Sequence, residues 1–243
     1  MAHKAADSGA GPKVDVRAAI VDALLKLAAE QRFEDITISA ICEEAKISLA
    51  DFRDVFPSKG AVLAGLSRRI DRAVLERSGG EGADEPAKER LFDVLMRRLD
   101  VMTPYRDALR EITQYLRRDP VAALAFNRVL INSLRFMLEA AGIGHEGAAG
   151  AIKLQGLALA WARIVDVWLD DQDPGLAKTM AELDRVLTRG EKSVSALERL
   201  DDFAAPLKAL TRAAFETRHR AADSFRRRAR GGSVRSERGY EPR

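Results

Sequence analysis

The sequence predicts an all-α protein, and three observations carry that expectation. Its residue pool is rich in Ala, Leu, Arg and Glu, which favour helix over strand. Apolar residues recur every three or four positions through most of the chain. Residues 37–59, TISAICEEAKISLADFRDVFPSK, read as two short helices around a tight turn, closed by a Pro-Ser-Lys corner. With 243 residues, one or two domains with a substantial core are expected.

Residues 1–12 are Gly/Ala-rich and are expected to be disordered. His3, Lys4 and Lys13 against Asp7 make a poor DNA-binding arm. This end has no apolar core of a secretory signal. Nowhere does an uninterrupted apolar run reach the ~18–20 residues of a membrane span. A single cysteine, Cys42, excludes an internal disulfide and fits a reducing compartment, so a cytoplasmic location is expected. Cys42 itself is read as filler on a buried helix face.

The first helical stripe holds Val16, Ile20, Leu24 and Leu27, with Val21, Leu25 and Ala28 beside it. Gln31 to Asp35 breaks the period, and Phe33 is expected to plug the core beneath that break. Thr37 suits the N-cap of a second helix, which turns Ile38, Ile41 and Cys42 inward. Ala45-Lys46-Ile47 forms the turn. Ser48 caps a third helix, with Asp51 placed for a capping box and Phe52, Val55 and Phe56 on its buried side. Pro57 ends it. After Lys59, Val62, Leu63, Leu66, Ile70 and Ala73 mark a fourth helix.

This order resembles the N-terminal domain of TetR-family transcriptional regulators over roughly residues 14–75. The resemblance implies a TetR-like fold: a helix-turn-helix domain over 13–77 and a larger helical ligand-binding and dimerisation domain over 84–190. It also implies a homodimer whose third helix enters the major groove of a DNA operator. The DNA-binding residues would be Thr37, Ser48, Leu49, Ala50 and Arg53, with Lys59 gripping a phosphate. Leu49 and Ala50 suit thymine methyls, and Arg53 suits guanine or phosphate. The sequence departs from the family pattern at the turn, where Lys46 replaces the usual glycine. It departs again on the third helix, at Leu49, Asp51, Arg53 and Val55. Asp54 would repel phosphates, while Asp51 is better explained as a cap.

Ser78 to Pro86 is a run of helix breakers. Beyond it, four stripes are expected: Leu91, Leu95, Leu99, Met102; Tyr105, Leu109, Ile112, Leu116; Phe126, Leu130, Leu134, Met137; and Leu154, Leu157, Trp161, Val165, Trp168. The third ends in the glycines of 142–150. Asp173 reads as an N-cap with Pro174 at the first helical position, ahead of Leu176, Met180, Leu183 and Leu187. The family implies a pocket for a small apolar ligand or lipid in this body. Tyr105, Phe126, Trp161 and Trp168 are its candidate walls, and Asn132, Arg135, Gln155 and Arg163 its candidate polar contacts. Tryptophans so spaced are more often core or interface than ligand wall, and solvated faces explain the polar residues equally well.

Residues 98–109 (RLDVMTPYRDAL) and 168–187 (WLDDQDPGLAKTMAELDRVL) resemble the TetR-fold accessory proteins of ubiquinone biosynthesis, which bind lipid rather than DNA. That alternative implies a silent helix-turn-helix and a membrane-docking C-terminal helix. Charge distribution bears on the choice. Residues 13–60 carry seven basic and nine acidic side chains, a balance of −2, whereas residues 189–243 carry fourteen and eight, a balance of +6. Within 191–243, Leu197, Leu200, Phe203, Leu207 and Leu210 form an amphipathic stripe before an arginine cluster around Phe225. Residues 195–230 therefore suit peripheral contact with an anionic membrane. A helix folded back on the bundle, or non-specific nucleic-acid contact, accounts for the same residues.

The three histidines lack metal-ligand spacing with Cys42, and Asp170 to Asp173 lacks the glycine and glutamate of a calcium loop. Neither a P-loop, a dinucleotide fingerprint nor a nucleophile motif occurs, which argues against an enzyme and implies no cofactor.

Overall fold

The computed structural model describes residues 15–77 and 84–192, and every regular element among them is helical. Helix α1, Val16–Glu30, starts where Asp15 accepts the Arg17 and Ala18 amides at 3.0 and 3.3 Å. It buries Ile20, Val21, Ala23, Leu24, Leu25 and Ala28. A 3-10 turn over Phe33–Asp35 interrupts the period and drops Phe33 into the core at 1% exposure. Helix α2, Ile38–Ala45, is capped by Thr37, whose hydroxyl accepts the Ala40 amide at 3.1 Å. Helix α3, Leu49–Val55, begins at Ser48 with both halves of a capping box present.

The turn between α2 and α3 has a left-handed residue at Lys46 (φ 55°, ψ 46°). The Ile47 amide donates to the Cys42 carbonyl at 3.0 Å and the Lys46 amide to Glu43 at 3.2 Å, a Schellman closure of α2. Side chains with a Cβ are disfavoured in this conformation by about 1–2 kcal/mol. The strain expected of lysine at a glycine position is thus present.

Helix α4, Lys59–Glu76, leads from this unit into the body. It lies close against the corner that follows α3 because Gly65 has no side chain. A Cβ at that position would lie 2.7 Å from the Phe56 ring, a fully buried group in the corner that follows α3. The body comprises α5, Ala87–Met102, and, after a 3-10 turn over Thr103–Tyr105, α6, Arg106–Arg118. Then come α7, Pro120–Ala140, and α8, Gly147–Asp170. Asp119 caps α7, accepting the Val121 and Ala122 amides, each at 3.0 Å, with Pro120 at the first helical position. Gly142 (φ 65°) ends it, and the Ile143 amide closes onto the Leu138 carbonyl at 2.9 Å.

Helix α1 packs on α6, and α4 packs on α5 and α7, so the N-terminal helices and the body share one apolar core. By length and composition α7 and α8 could each cross a bilayer. Each instead turns part of its apolar surface into this core: Leu134 and Met137 from α7, Trp161 and Trp168 from α8.

A ninth helix, α9, covers the described residues 177–192, and its start differs from expectation. Asp173 and Pro174 lie before the helix. The Asp173 carboxylate accepts the Gly175 amide at 3.0 Å within a turn, and Leu176 has φ 53°, which no helix continues through. The fully buried anchor is Thr179, whose amide and hydroxyl donate to Asp171 at 2.9 and 2.8 Å. Buried Thr179, Leu183 and Leu187 therefore define the inner face, and Met180 is exposed. The expectations for residues 1–12, for most of the loop at 78–86 and for the amphipathic tail fall outside the described residues.

Two substitutions should move stability in opposite directions, read by thermal or denaturant unfolding. Gly65→Ala forces the Phe56 ring aside and should destabilise by about 1–3 kcal/mol. Lys46→Gly removes left-handed strain but adds freedom to the unfolded chain, for a net gain of roughly 0.5–1 kcal/mol.

Candidate functional site

Two sites emerge: the outward face of α3 and a cavity in the body. Ser48, Leu49, Ala50, Arg53 and Asp54 are all exposed, and Phe52 is buried. Val55, counted at sequence level among the departures from the family's reading face, is half-buried and packs on the core. Leu49 is 58% exposed, an unusual position for a large apolar side chain on a short polar helix. Asp51 faces its own helix start. Its carboxylate accepts the Ser48 amide at 3.0 Å and the Ser48 hydroxyl at 2.7 Å, and these bonds hold its pKa below the ordinary aspartate value. Thr37 is exposed with its hydroxyl turned to the Ala40 amide.

Lys59 occupies a different environment. Its ammonium donates to the carbonyl oxygens of Phe33 (2.6 Å), Ile36 (2.8 Å) and Glu34 (3.5 Å), and lies 4.5 Å from the Phe33 ring centre. Partial burial pushes its pKa down. Three donors meet three acceptors, so this cation is already coordinated within the protein.

The cavity measures about 310 Å³ and lies among α4, α5, α6, α7 and α8. Leu66, Ile70, Met102, Ile112, Leu130 and Val165 are among its apolar walls. Phe126 and Trp161, both expected, are in its lining. Trp168 is not; it is fully buried, with Arg106 stacked 5.0 Å from its ring. Tyr105 is half-buried beneath Arg69, 5.1 Å away, and is outside the lining. Asn132 and Arg135 are exposed on α7. Gln155 accepts from Asn127 at 3.2 Å, and it is Asn127 that lines the cavity. Arg163 pairs with Glu182 at 3.5 Å.

Sequence reading passed over Arg98. It is 4% exposed in the cavity wall and donates to Asp71 of α4 at 2.5 Å. The same Asp71 oxygen accepts the Ser133 hydroxyl of α7 at 2.6 Å. The Arg98 guanidinium also lies 5.3 Å from the Trp161 ring centre. Burial lowers its pKa and Asp71 opposes that shift. One signal was available: Arg98 falls on the buried stripe of α5, between Leu95 and Met102.

The two segments resembling the accessory proteins meet in space. Arg106 donates to the Trp168 carbonyl and to that of Asp171 (2.5 Å), and Arg110 to the Leu169 carbonyl and the Asp170 carboxylate (2.7 Å). They satisfy the exposed carbonyls at the C-terminus of α8.

No family model and no curated protein matches the sequence. Solved structures do. A TetR transcriptional regulator from Nitrosomonas europaea aligns with a TM-score of 0.56 at 22% identity, covering 72% of this chain and 97% of that one. A TetR transcriptional regulator from Rhodococcus sp. RHA1 aligns with a TM-score of 0.55 at 18% identity, covering 74% and 97%. The fold is therefore all-α and TetR-like, with a small N-terminal helical unit followed by a larger helical bundle.

Proposed function

We propose that the protein is a dimeric, DNA-binding transcriptional regulator controlled by a small apolar ligand. One observation carries this reading: α3 presents Leu49, Ala50 and Arg53 together on an exposed face, in a fold shared with transcriptional regulators. None of the three has a packing role that would explain that exposure. At the helix starts the Ser48 amide and hydroxyl are both committed to Asp51, so of the two caps Thr37, whose hydroxyl accepts the Ala40 amide and still has a proton to donate, is the one that would meet a phosphate. The apolar cavity supports ligand control, because α4 carries part of its wall and also follows directly from the reading unit. A ligand that favoured a different spacing of two reading heads would release DNA.

A second reading has its own support. Lys59 is coordinated internally, so Arg53 is the one outward cation on α3, beside the uncompensated Asp54. A lipid-binding accessory protein with a silent reading helix would account for this and would use the same apolar cavity. It would dock on membranes through residues 195–230.

Gel shifts with the protein's own upstream DNA at low salt, run beside flotation with anionic liposomes, separate the two. The regulator reading expects a shift that Arg53→Ala weakens by roughly tenfold or more. Lys59→Met should chiefly lower the melting temperature, by orphaning backbone carbonyls at roughly 1–3 kcal/mol, and leave the salt dependence of binding unchanged. No shift at low salt, with flotation that requires the tail, would sink the regulator reading.

The dimer proposal is tested separately. Ile152 and Leu159 are 58% and 67% exposed and lie two turns apart on α8, as an apolar interface stripe would. Light scattering should give twice the chain mass for the native protein and the single mass for Ile152→Arg. A monomeric native protein refutes the proposal.

A further inference from the structure

We infer that the cavity selects an uncharged apolar molecule bearing one hydrogen-bond acceptor, docked against Arg98. This rests on the cavity being the ligand site proposed above. Its apolar lining comes from five helices; Thr113 and Asn127, the latter donating to Gln155, add polar groups along the wall, and the remaining polar groups divide into two sets. Arg117 and Asp166 pair with each other and are partly exposed, so they mark the rim. Arg98 and Ser67 are 4% and 7% exposed, so they mark the deep wall.

At that deep wall the charge account is closed and the hydrogen-bond account is open. Asp71 neutralises Arg98 at 2.5 Å and is itself bonded to Ser133. An anionic head group would leave a net negative charge among buried groups, which the low-dielectric surroundings oppose. Yet the Arg98 Nε–H, although buried, meets no acceptor in the protein. A buried unmet donor is unfavourable, and more so on a charged group. Ser67, one turn before Asp71 on α4, brings a hydroxyl to the same wall. A carbonyl or ester oxygen supplies what is missing without adding charge. The Nε is closed even to a water-sized sphere, so the acceptor is seated by a small shift of the wall beside Trp161, whose ring centre lies 5.3 Å from the guanidinium. The ligand class is thus a neutral ketone, ester or similar single-headed molecule, not a fatty acid anion and not a bare hydrocarbon.

The test is displacement of Nile red from the full-length protein by methyl decanoate, sodium decanoate and decane at near-neutral pH. Methyl decanoate should displace the dye with at least about tenfold higher affinity than either other compound. Arg98→Lys keeps the cation but lacks Nε. The pair Asp71→Asn with Arg98→Met keeps the wall neutral and guards against an unpaired buried charge. In both variants the ester should lose its advantage over decane. The inference is overturned if decanoate outcompetes the ester, if ester and decane are equal in the native protein, if no compound displaces the dye, or if the ester advantage survives in both variants. Gel shifts on the same samples report the regulator reading independently. An ester preference without a DNA shift sinks that reading and keeps the ligand class; a DNA shift without the preference does the reverse.

Discussion

The ammonium of Lys59 ties together the corner by which the N-terminal helices meet the body. Lysine at the first position of a helix opposes the helix dipole, so its charge needs another outlet. The carbonyls of Phe33, Glu34 and Ile36 provide it, and in doing so they fix the 3-10 turn before α2. That turn, beside α1, also contacts α6. The Phe33 amide donates to Glu111 at 3.0 Å, its ring lies 4.7 Å from that of Tyr115, and Glu34 pairs with Arg118 at 3.6 Å. The opposite side of α6 contributes Leu109, Ile112, Thr113 and Leu116 to the cavity. One helix therefore meets both the 3-10 turn and the cavity, and one cation holds that turn.

Most of the architecture was legible because it is written in local chemistry. Thr37 and Ser48 cap where they were expected to, since a side-chain oxygen just ahead of an apolar stripe has few other uses. The strain at Lys46 was legible for the same reason, as only the turn geometry is involved. Legibility failed where partners are distant in sequence. Asp173-Pro174 looks like a helix start, but a buried bond from Thr179 to Asp171 sets the helix phase. Trp168 and Tyr105 share helical stripes with cavity residues and still face arginines elsewhere. Periodicity gives a face, and it does not say which of several neighbours that face meets. For α3, the exposure of Leu49, Ala50 and Arg53 follows from the pattern, while the fate of Lys59 required the turn at 33–36.

The Asp71–Arg98 pair poses a different question. Buried ion pairs are weak stabilisers, because desolvation offsets most of the attraction, and apolar substitutes of similar size often do as well. A pair joining α4 to α5, with Ser133 of α7 on the same oxygen, is thus poorly explained by stability alone. Its position in a cavity wall gives it another use. There it joins the cavity wall to α4, the helix that follows directly from the N-terminal helices.

The electrostatics of the reading face then bear on how such a ligand could act. Asp51 is bonded to its own helix start, and Lys59 is turned inward. What remains outward on α3 is Arg53 beside Asp54, with Lys46 in the preceding turn. Under the proposed function each phosphate contact would contribute only a small increment of affinity, and a head with so few cations would hold DNA weakly alone. Two linked heads bind far more tightly than one, provided their spacing lets both engage at once. A protein whose single heads are weak is therefore controlled by head spacing more sharply than one whose heads are strong. Under the proposed function, few cations on this face and ligand control of head spacing would be parts of the same design.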